Sequence, residues 1–182
     1  MAGAAESDQG REGPHWAFSL AVYGTPGVQE GCLFLQDRYG VDVNILLLCG
    51  YRRMQGLAVD RSIVGQLDQV AANWRERAIL PLRHIRRDLK KGVPPVPPEA
   101  LSLVRRQIAD AEIAAEMVEQ QIIMQAFDGM TCDTAPEPLQ EILMSVVRFY
   151  AGRSGCSLEA AETSTAITAL VQAMERCSHL AQ

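Results

Sequence analysis

The feature that most constrains the fold is a proline-rich break between two long apolar stripes. The segment Gly92-Val-Pro-Pro-Val-Pro-Pro98 cannot be helical in its middle, because proline lacks the amide donor and fixes φ. Apolar residues recur at three- and four-residue spacing before the break and again after it. Two amphipathic helices joined by a stiff connector favour an antiparallel helical hairpin.

The first stripe keeps its helical phase across Pro81. It therefore predicts one long helix, kinked where the proline ring crowds the carbonyl of Arg77. A break near Asn73 is the alternative interpretation. The second stripe has a heptad-like spacing and is predicted to pack against the first. The first stripe comprises Ile63, Leu67, Val70, Trp74, Ala78, Leu82, Ile85 and Leu89, and the second comprises Leu101, Val104, Ile108, Ala111, Ala115, Val118 and Ile122.

Capping signals divide the N-terminal part of the chain into three shorter helices. Gly24 is expected to end the first helix, and Thr25 with the proline that follows it to begin the second. Gly40 is a natural left-handed stop, and Asp42 is a natural N-cap for the third helix. These signals predict a tight joint between the second and third helices.

Two further helices are predicted after the hairpin. The pair Thr134 and Glu137 forms a capping box, which places the start of a sixth helix there. Ser157 is expected to cap a seventh helix. The sequence therefore predicts a C-terminal pair of helices.

The composition supports a wholly helical protein. Of the 182 residues, 48% are hydrophobic but only 5% are aromatic, and no segment has the alternation of a strand. We therefore predict an all-α protein, a single compact helical domain of six to seven helices with a long antiparallel helical hairpin. The expected division is a disordered tail at 1–14, a helical core at 15–128, and a two-helix extension at 136–182 packed on the core.

Charge and hydropathy exclude several classes of protein. A net charge of -5 argues against binding to nucleic acid or to anionic lipid. The longest apolar run, Ile45 to Cys49, is too short to cross a bilayer. The five cysteines form no Cys-x-x-Cys pair, which argues against a zinc site or a disulfide framework. A cytoplasmic location is the simplest expectation.

Charges are segregated along the predicted hairpin. Cations crowd its first helix, whereas no Lys or Arg occurs from Gln107 to Val147. Folding the chain back at the connector places Arg77 roughly level with Glu112. The hairpin is therefore predicted to have an ion-paired middle and a basic end. The basic patch comprises Arg87, Lys90, Lys91, Arg105 and Arg106.

A polar cluster lies at the joint between the second and third helices. The structural interpretation is a helix cap, and the functional one is a pair of carboxylates that binds a cation or works as acid and base. The structural interpretation is favoured. Arg86, placed beside an apolar stripe, needs a carboxylate, and the joint is its expected partner. The candidate cluster is Gln36, Asp37, Asp42, Asn44, Arg83, Arg86 and Glu112.

The basic patch also has two interpretations. Cations at the C-terminus of a helix offset its dipole, and this interpretation is favoured. The alternative is an anion pocket for phosphate or for an acidic partner, in which guanidinium groups bind the oxygens.

No catalytic constellation is complete. Glu112, Glu116 and Glu119 share a stripe but lack the Glu-x-x-His pairs of di-metal helical bundles, so a solvated or salt-bridged face is expected. Ser145 and Thr163 have no nearby His–Asp pattern to activate them. The sequence therefore predicts no catalytic residue, no metal and no cofactor.

The N-terminal two thirds of the chain resembles an uncharacterised bacterial family of conserved hypothetical proteins, over roughly residues 15–125. The resemblance implies a helical cytosolic protein and no catalytic activity. Tyr51 stands where a tryptophan or another bulky residue is expected, and residues 136–182 lie outside the resemblance. The motifs that carry it are Trp16-x-Phe18-Ser19-x-x-x-Tyr23 and Leu35-Gln36-Asp37-x-x-Gly40-x-Asp42-Val43-Asn44-x-Leu46-Leu47, followed by Trp74, Pro81-Leu82-Arg83, Arg86, Leu89-Lys90 and Glu112-x-x-x-Glu116-x-x-Glu119.

Two functional hypotheses follow. The first is a non-enzymatic cytosolic helical module that binds a protein partner or forms a homo-oligomer, with no role for nucleic acid or membrane. The second is a site for a small anionic molecule, or an enzymatic site, built from the candidate cluster at the joint.

Overall fold

The computed structural model describes residues 13–130 and 135–182. All regular structure in these ranges is helical and none of it is strand, so the all-α prediction is confirmed. The tail predicted at 1–14 lies almost entirely outside the described residues, as does Thr134 of the predicted capping box. The helices are α1 Pro14–Tyr23, α2 Val28–Tyr39, α3 Val43–Met54, α4 Arg61–Trp74, a π-helical turn Arg75–Ile79, α5 Leu80–Leu89, α6 Pro98–Asp128, α7 Leu139–Ser154, α8 Ala160–Arg176 and a 3₁₀ turn Ser178–Leu180.

The chain divides into two compact units. The bundle unit contains the described residues up to Gly65 together with those from Met130 onward. The hairpin unit contains Gln66–Gly129. No helix of the described residues has the length and apolarity needed to span a bilayer.

In the bundle unit, α2 packs against α8, α3 packs against α7, and α1 packs against α3. The close approach of α2 to α8 requires a glycine at position 31, where a Cβ atom would lie 3.2 Å from the Cα of Ala166. The buried Tyr39 hydroxyl lies 2.8 Å from Thr163 Oγ1 and accepts a hydrogen bond from the amide of Glu159. The last two helices are therefore integral to the core that buries α2 and α3.

The predicted joint between α2 and α3 is confirmed. Gly40 ends α2 with φ 73°, a left-handed conformation that glycine adopts without strain. The Asp42 side chain accepts a hydrogen bond of 3.1 Å from the amide of Ile45 and so caps α3. Three other predicted boundaries differ.

Three helices begin later than their predicted caps. Residue Gly27, not Thr25, precedes α2, while the Thr25 hydroxyl donates to the carbonyl of Ala21 at the end of α1. Helix α7 begins at Leu139, three residues after Pro136, and α8 begins at Ala160 rather than beside Ser157. Hydroxyl side chains can bond their own local backbone, so a cap-like residue does not always cap the next helix.

In the hairpin unit, α4, the π turn and α5 form one continuous helix that packs against α6. The prediction of a long helix running through Pro81 is confirmed. The amide of Leu80 donates to the carbonyl of Arg75, five residues earlier, which is the π-helical pattern. The wider turn lies just before Pro81, where the proline ring would crowd an α-helical carbonyl.

The π turn shifts the buried face of the helix by one residue. A π turn holds more residues than an α turn, so the positions that follow it lag in phase. Ile79 is buried and Arg83 and Arg86 are half-buried, whereas Ile85 is 47% exposed. The predicted stripe is therefore wrong at Ile85, although Leu82 and Leu89 are half-buried, and it is also wrong at Val70, which is 46% exposed.

Candidate functional site

The centre of the hairpin unit is an ion-paired cluster on α5 and α6. Arg83 Nε donates to Glu112 Oε1 at 2.9 Å, and Arg83 Nη2 donates to Glu116 Oε1 at 2.7 Å. Arg86 donates to both oxygens of Glu112, through Nε and, at 3.1 Å, through Nη2. Glu112 thus receives two guanidinium groups, an arrangement with strong geometric specificity.

The ionisation of this cluster follows from its surroundings. Glu112 is only 6% exposed, and this burial opposes its charge. The hydrogen bonds and charges of Arg86 and Arg83 outweigh the burial and hold the pKa of the Glu112 carboxyl below its usual range. Burial likewise opposes the charge of Arg83, yet its contacts with Glu112 and Glu116 raise the pKa of the guanidinium. Glu112 and Arg83 are therefore both charged at neutral pH.

Two further contacts fix the α4 end of the hairpin. Trp74 Nε1 donates to the carbonyl of Ala115 at 2.8 Å, which ties the end of α4 to α6. Arg75 Nη2 donates to Oδ1 of the buried Asp68 at 2.7 Å. The Trp74 bond therefore joins the two helices of the hairpin, whereas the Arg75–Asp68 pair lies within the first of them.

The glutamate stripe of α6 faces inward. Glu119 is 1% exposed and the neighbouring Gln120 is buried as well. The prediction of a solvated or salt-bridged face is confirmed for Glu112 and Glu116 by these ion pairs, whereas Glu119 is buried rather than solvated. Arg77 was predicted to lie level with Glu112, but it is exposed. The π turn instead directs the side chains of Arg83 and Arg86 toward that carboxylate.

The candidate cluster divides between the two units. Arg83, Arg86 and Glu112 come together in the hairpin unit, as described above. Gln36, Asp37, Asp42 and Asn44 lie on α2 and α3 of the bundle unit, where Asp42 is a buried N-cap and Asp37 is exposed. Neutralisation of the joint by the arginines of the hairpin stays a prediction.

The basic patch lies at the tip of the hairpin. Lys90 and Lys91 follow the end of α5, and Arg105 and Arg106 lie in the first turns of α6. The ammonium of Lys91 bonds Asp88 at 2.8 Å, and His84 lies 3.0 Å from the same carboxylate. The Lys91 hydrogen bond and the charge of His84 lower the pKa of the exposed Asp88.

The most distinctive surface is a strip of α6 that sequence reasoning missed. Six exposed positions follow one another at alternating spacings of four and three residues, and none of them is charged. Such a spacing keeps the side chains on one face of a helix. Three of the residues belong to the stripe that was predicted to pack inside the hairpin. The strip comprises Ala100, Val104, Gln107, Ala111, Ala114 and Val118.

Helix α5 extends this strip on the same side of the hairpin. Successive residues of a helix are rotated by about 100°. This rotation places Leu82, Ile85 and Leu89 to one side of the ion-paired face of α5. In the antiparallel hairpin, that side is the one on which the α6 strip lies. Leu82 and Leu89 are half-buried and Ile85 is exposed. We call the α6 strip with these three residues the outer face.

The chain belongs to a family described as "Protein of unknown function (DUF2390)", whose model matches residues 14–123. The resemblance to an uncharacterised family over roughly residues 15–125 is thereby confirmed. No curated protein and no solved structure matches the chain. Within the ranges that the structure describes, no three His, Cys, Asp or Glu side chains are grouped so that they could hold a metal ion.

Proposed function

We propose that this protein is a non-catalytic helical module of the cytoplasm that associates with a second copy of itself through the outer face. The observation that carries the proposal is the uncharged strip on α6. Val104 and Val118, near its start and at its end, are 44% and 36% exposed. An exposed, contiguous and uncharged face of this length is typical of an interaction surface.

The sequence at 1–12 offers little that could cover this face. The segment outside the described residues at the N-terminus, MAGAAESDQGRE, contains Met1 as its only large apolar residue. A polar segment gains little by desolvating an apolar strip. A second copy supplies an equally long uncharged strip.

An antiparallel pairing of two α6 strips fits their side-chain volumes. When Gln107 of one copy lies opposite Ala111 of the other, Val104 lies opposite Ala114 and Val118 lies opposite Ala100. Each valine then fills the space left by an alanine, and the two-fold axis repeats every contact. The two Gln107 amides lie near the axis, where a polar residue favours one register over others.

The size of the face predicts a reversible complex. From Ala100 to Val118 the strip is roughly 27 Å long at a rise of 1.5 Å per residue, and the outer face is two helices wide. This area is at the low end for specific interfaces, so a dissociation constant in the micromolar range is expected. A heterologous protein that competes for the same face is the other possible occupant.

Sedimentation equilibrium of the full chain tests this proposal. We expect the wild-type mass to rise from one copy to two as the concentration increases from about 1 μM to 1 mM. Ala111→Glu, which introduces a charge at the centre of the strip, should keep the chain monomeric. Ile113→Glu is the matched control, because Ile113 is 49% exposed on the same helix but faces away from the strip.

Two results would contradict self-association. The first is a wild-type chain that stays monomeric over the whole concentration range. The second is an equal loss of dimer in the Ile113→Glu control.

The second hypothesis, an anionic-ligand site built from Asp37, Asp42, Asn44, Arg83, Arg86 and Glu112, is less well supported. Both arginines in that set donate to Glu112, so the donors that an anion would use are already engaged by a carboxylate of the protein.

A further inference from the structure

A pocket of about 520 Å³ lies at the tip of the hairpin, where α5 ends and α6 begins. Its walls include three cationic residues, Lys90, Lys91 and Arg105, and no acidic one. The connector supplies apolar walls, with Val93, Val96 and four prolines. A concave site with a few polar groups among apolar walls has the general form of a small-molecule site.

Arg105 is the unusual member of this group. Its Nε atom is buried and has no hydrogen-bond partner in the protein. A buried donor of this kind requires an explanation, because nearly all buried polar groups in proteins are paired. The explanation from the helix dipole applies to Lys90 and Lys91 at the end of α5, but Arg105 lies near the opposite, N-terminal end of α6.

We propose that this pocket binds the phosphate group of a small phosphorylated compound. The Arg105 guanidinium is the principal donor, since its fork of N–H groups matches the geometry of phosphate oxygens. Ser102 also lines the pocket, one turn before Arg105 on the same side of α6, and its hydroxyl supplies a further donor. Lys90 and Lys91 contribute charge, and the apolar connector contacts the remainder of the ligand.

The carboxylates near the pocket do not neutralise its positive charge. Asp88 is bound by Lys91 and lies beside His84, as described above. Glu99 stands in the first turn of α6, is exposed, and is not among the residues that line the pocket. Arg105 and Lys90 have no ion pair with either carboxylate. The pocket shares Leu89 with the outer face but none of the six residues of the α6 strip, and the variants that test it leave that strip unchanged.

Isothermal titration of the full chain with pyrophosphate tests the site. Inorganic phosphate serves as a smaller phosphate probe, and acetate distinguishes a carboxylate ligand from a phosphate ligand. We expect saturable binding of pyrophosphate, weaker binding of inorganic phosphate and none of acetate at matched ionic strength. Arg105→Gln should weaken pyrophosphate binding at least tenfold, which corresponds to about 1.4 kcal/mol.

Arg106→Gln provides the matched control. It removes the same charge one residue further along α6, at an exposed position that does not line the pocket. Its affinity for pyrophosphate should stay within twofold of wild type, and Ser102→Ala should show an intermediate loss. The proposal is overturned if pyrophosphate does not saturate, if acetate binds equally well, or if Arg106→Gln loses as much affinity as Arg105→Gln. Circular dichroism of each variant shows that the helices are retained.

Discussion

The bundle unit and the hairpin unit are stabilised by different interactions. Of the thirty-five buried hydrophobic residues among the described part of the chain, only six lie in the hairpin unit. That unit nevertheless holds four of the seven buried polar or charged residues, namely Asp68, Glu112, Glu119 and Gln120. It also carries nine of the thirteen exposed large hydrophobic side chains. The hairpin is therefore polar inside and apolar outside to an extent that the bundle is not.

The difference is traced to the π turn between α4 and α5. Without the additional residue, Leu82 and Ile85 would continue the apolar face of α4 into the hairpin. With it, Arg83 and Arg86 take the inner positions and bind Glu112, and Ile85 turns outward. A local change in helical pitch thus supplies the ion-paired core and the α5 part of the outer face.

The two kinds of core also differ in what they contribute, one mainly to stability and the other mainly to geometry. An apolar core is non-directional and scales with buried area, which suits a unit that maintains the fold. A buried ionic network contributes less net stability but defines one geometry, because its partners must meet at fixed positions. We infer that the hairpin unit is less stabilised by hydrophobic burial within its own chain, and that its apolar side chains instead form a surface that a second copy can cover.

The largest predicted effect is that of a truncation that removes part of the bundle unit and leaves the hairpin unit intact. A chain that ends at Pro138 lacks α7 and α8, whose buried side chains include Leu143 and Leu170. The bundle unit should then lose cooperative unfolding, although all of the residues matched by the family model are retained. Urea unfolding followed by Trp16 fluorescence in a Trp74→Phe background measures this loss. A native, cooperative Trp16 transition in the truncated chain would contradict the description of the bundle core.

The next effect concerns the ionic core of the hairpin. Glu112→Ala leaves two partly buried guanidinium groups without their main partner and should destabilise the hairpin by about 2–4 kcal/mol. Replacing the three partners together, as Glu112→Leu, Arg83→Leu and Arg86→Met, should cost much less or even stabilise. Trp74 fluorescence in a Trp16→Phe background measures both variants. Equal destabilisation by the single and triple changes would show that the network supports stability rather than geometry.

The smallest of these effects is a pH dependence confined to acid. Because the pKa of Glu112 is lower in the folded chain than the unfolded value of about 4.3, its contribution is complete above that value. It is lost as the pH falls through the folded pKa. Urea titrations from pH 7 to pH 3 should show the stability gap between wild type and Glu112→Gln narrowing only below about pH 4.5. A gap that stays constant down to pH 3 would mean that Glu112 is not held charged by the arginines.

The sequence predicted the elements well and the faces poorly. Local signals such as Gly40 and Asp42 act within one turn, so they located the joint between α2 and α3 correctly. The burial of Glu112 could not be predicted, because it depends on a π turn that has no distinct signature in the sequence. The outer face was visible as an uncharged heptad pattern, but Val104, Ala111 and Val118 were assigned to the inside by assuming that every apolar stripe packs within its own chain.

The most direct test of the account is the identity of the side chains that meet between two copies. In a sample that mixes methyl-labelled and unlabelled chains, isotope-filtered NOE spectra detect only contacts between copies. We predict intermolecular NOEs from the methyl groups of Val104 and Val118 to alanine methyls of the other copy. Intermolecular NOEs restricted to the bundle unit, at Leu20 or Leu33 for example, or their absence at millimolar concentration, would contradict it.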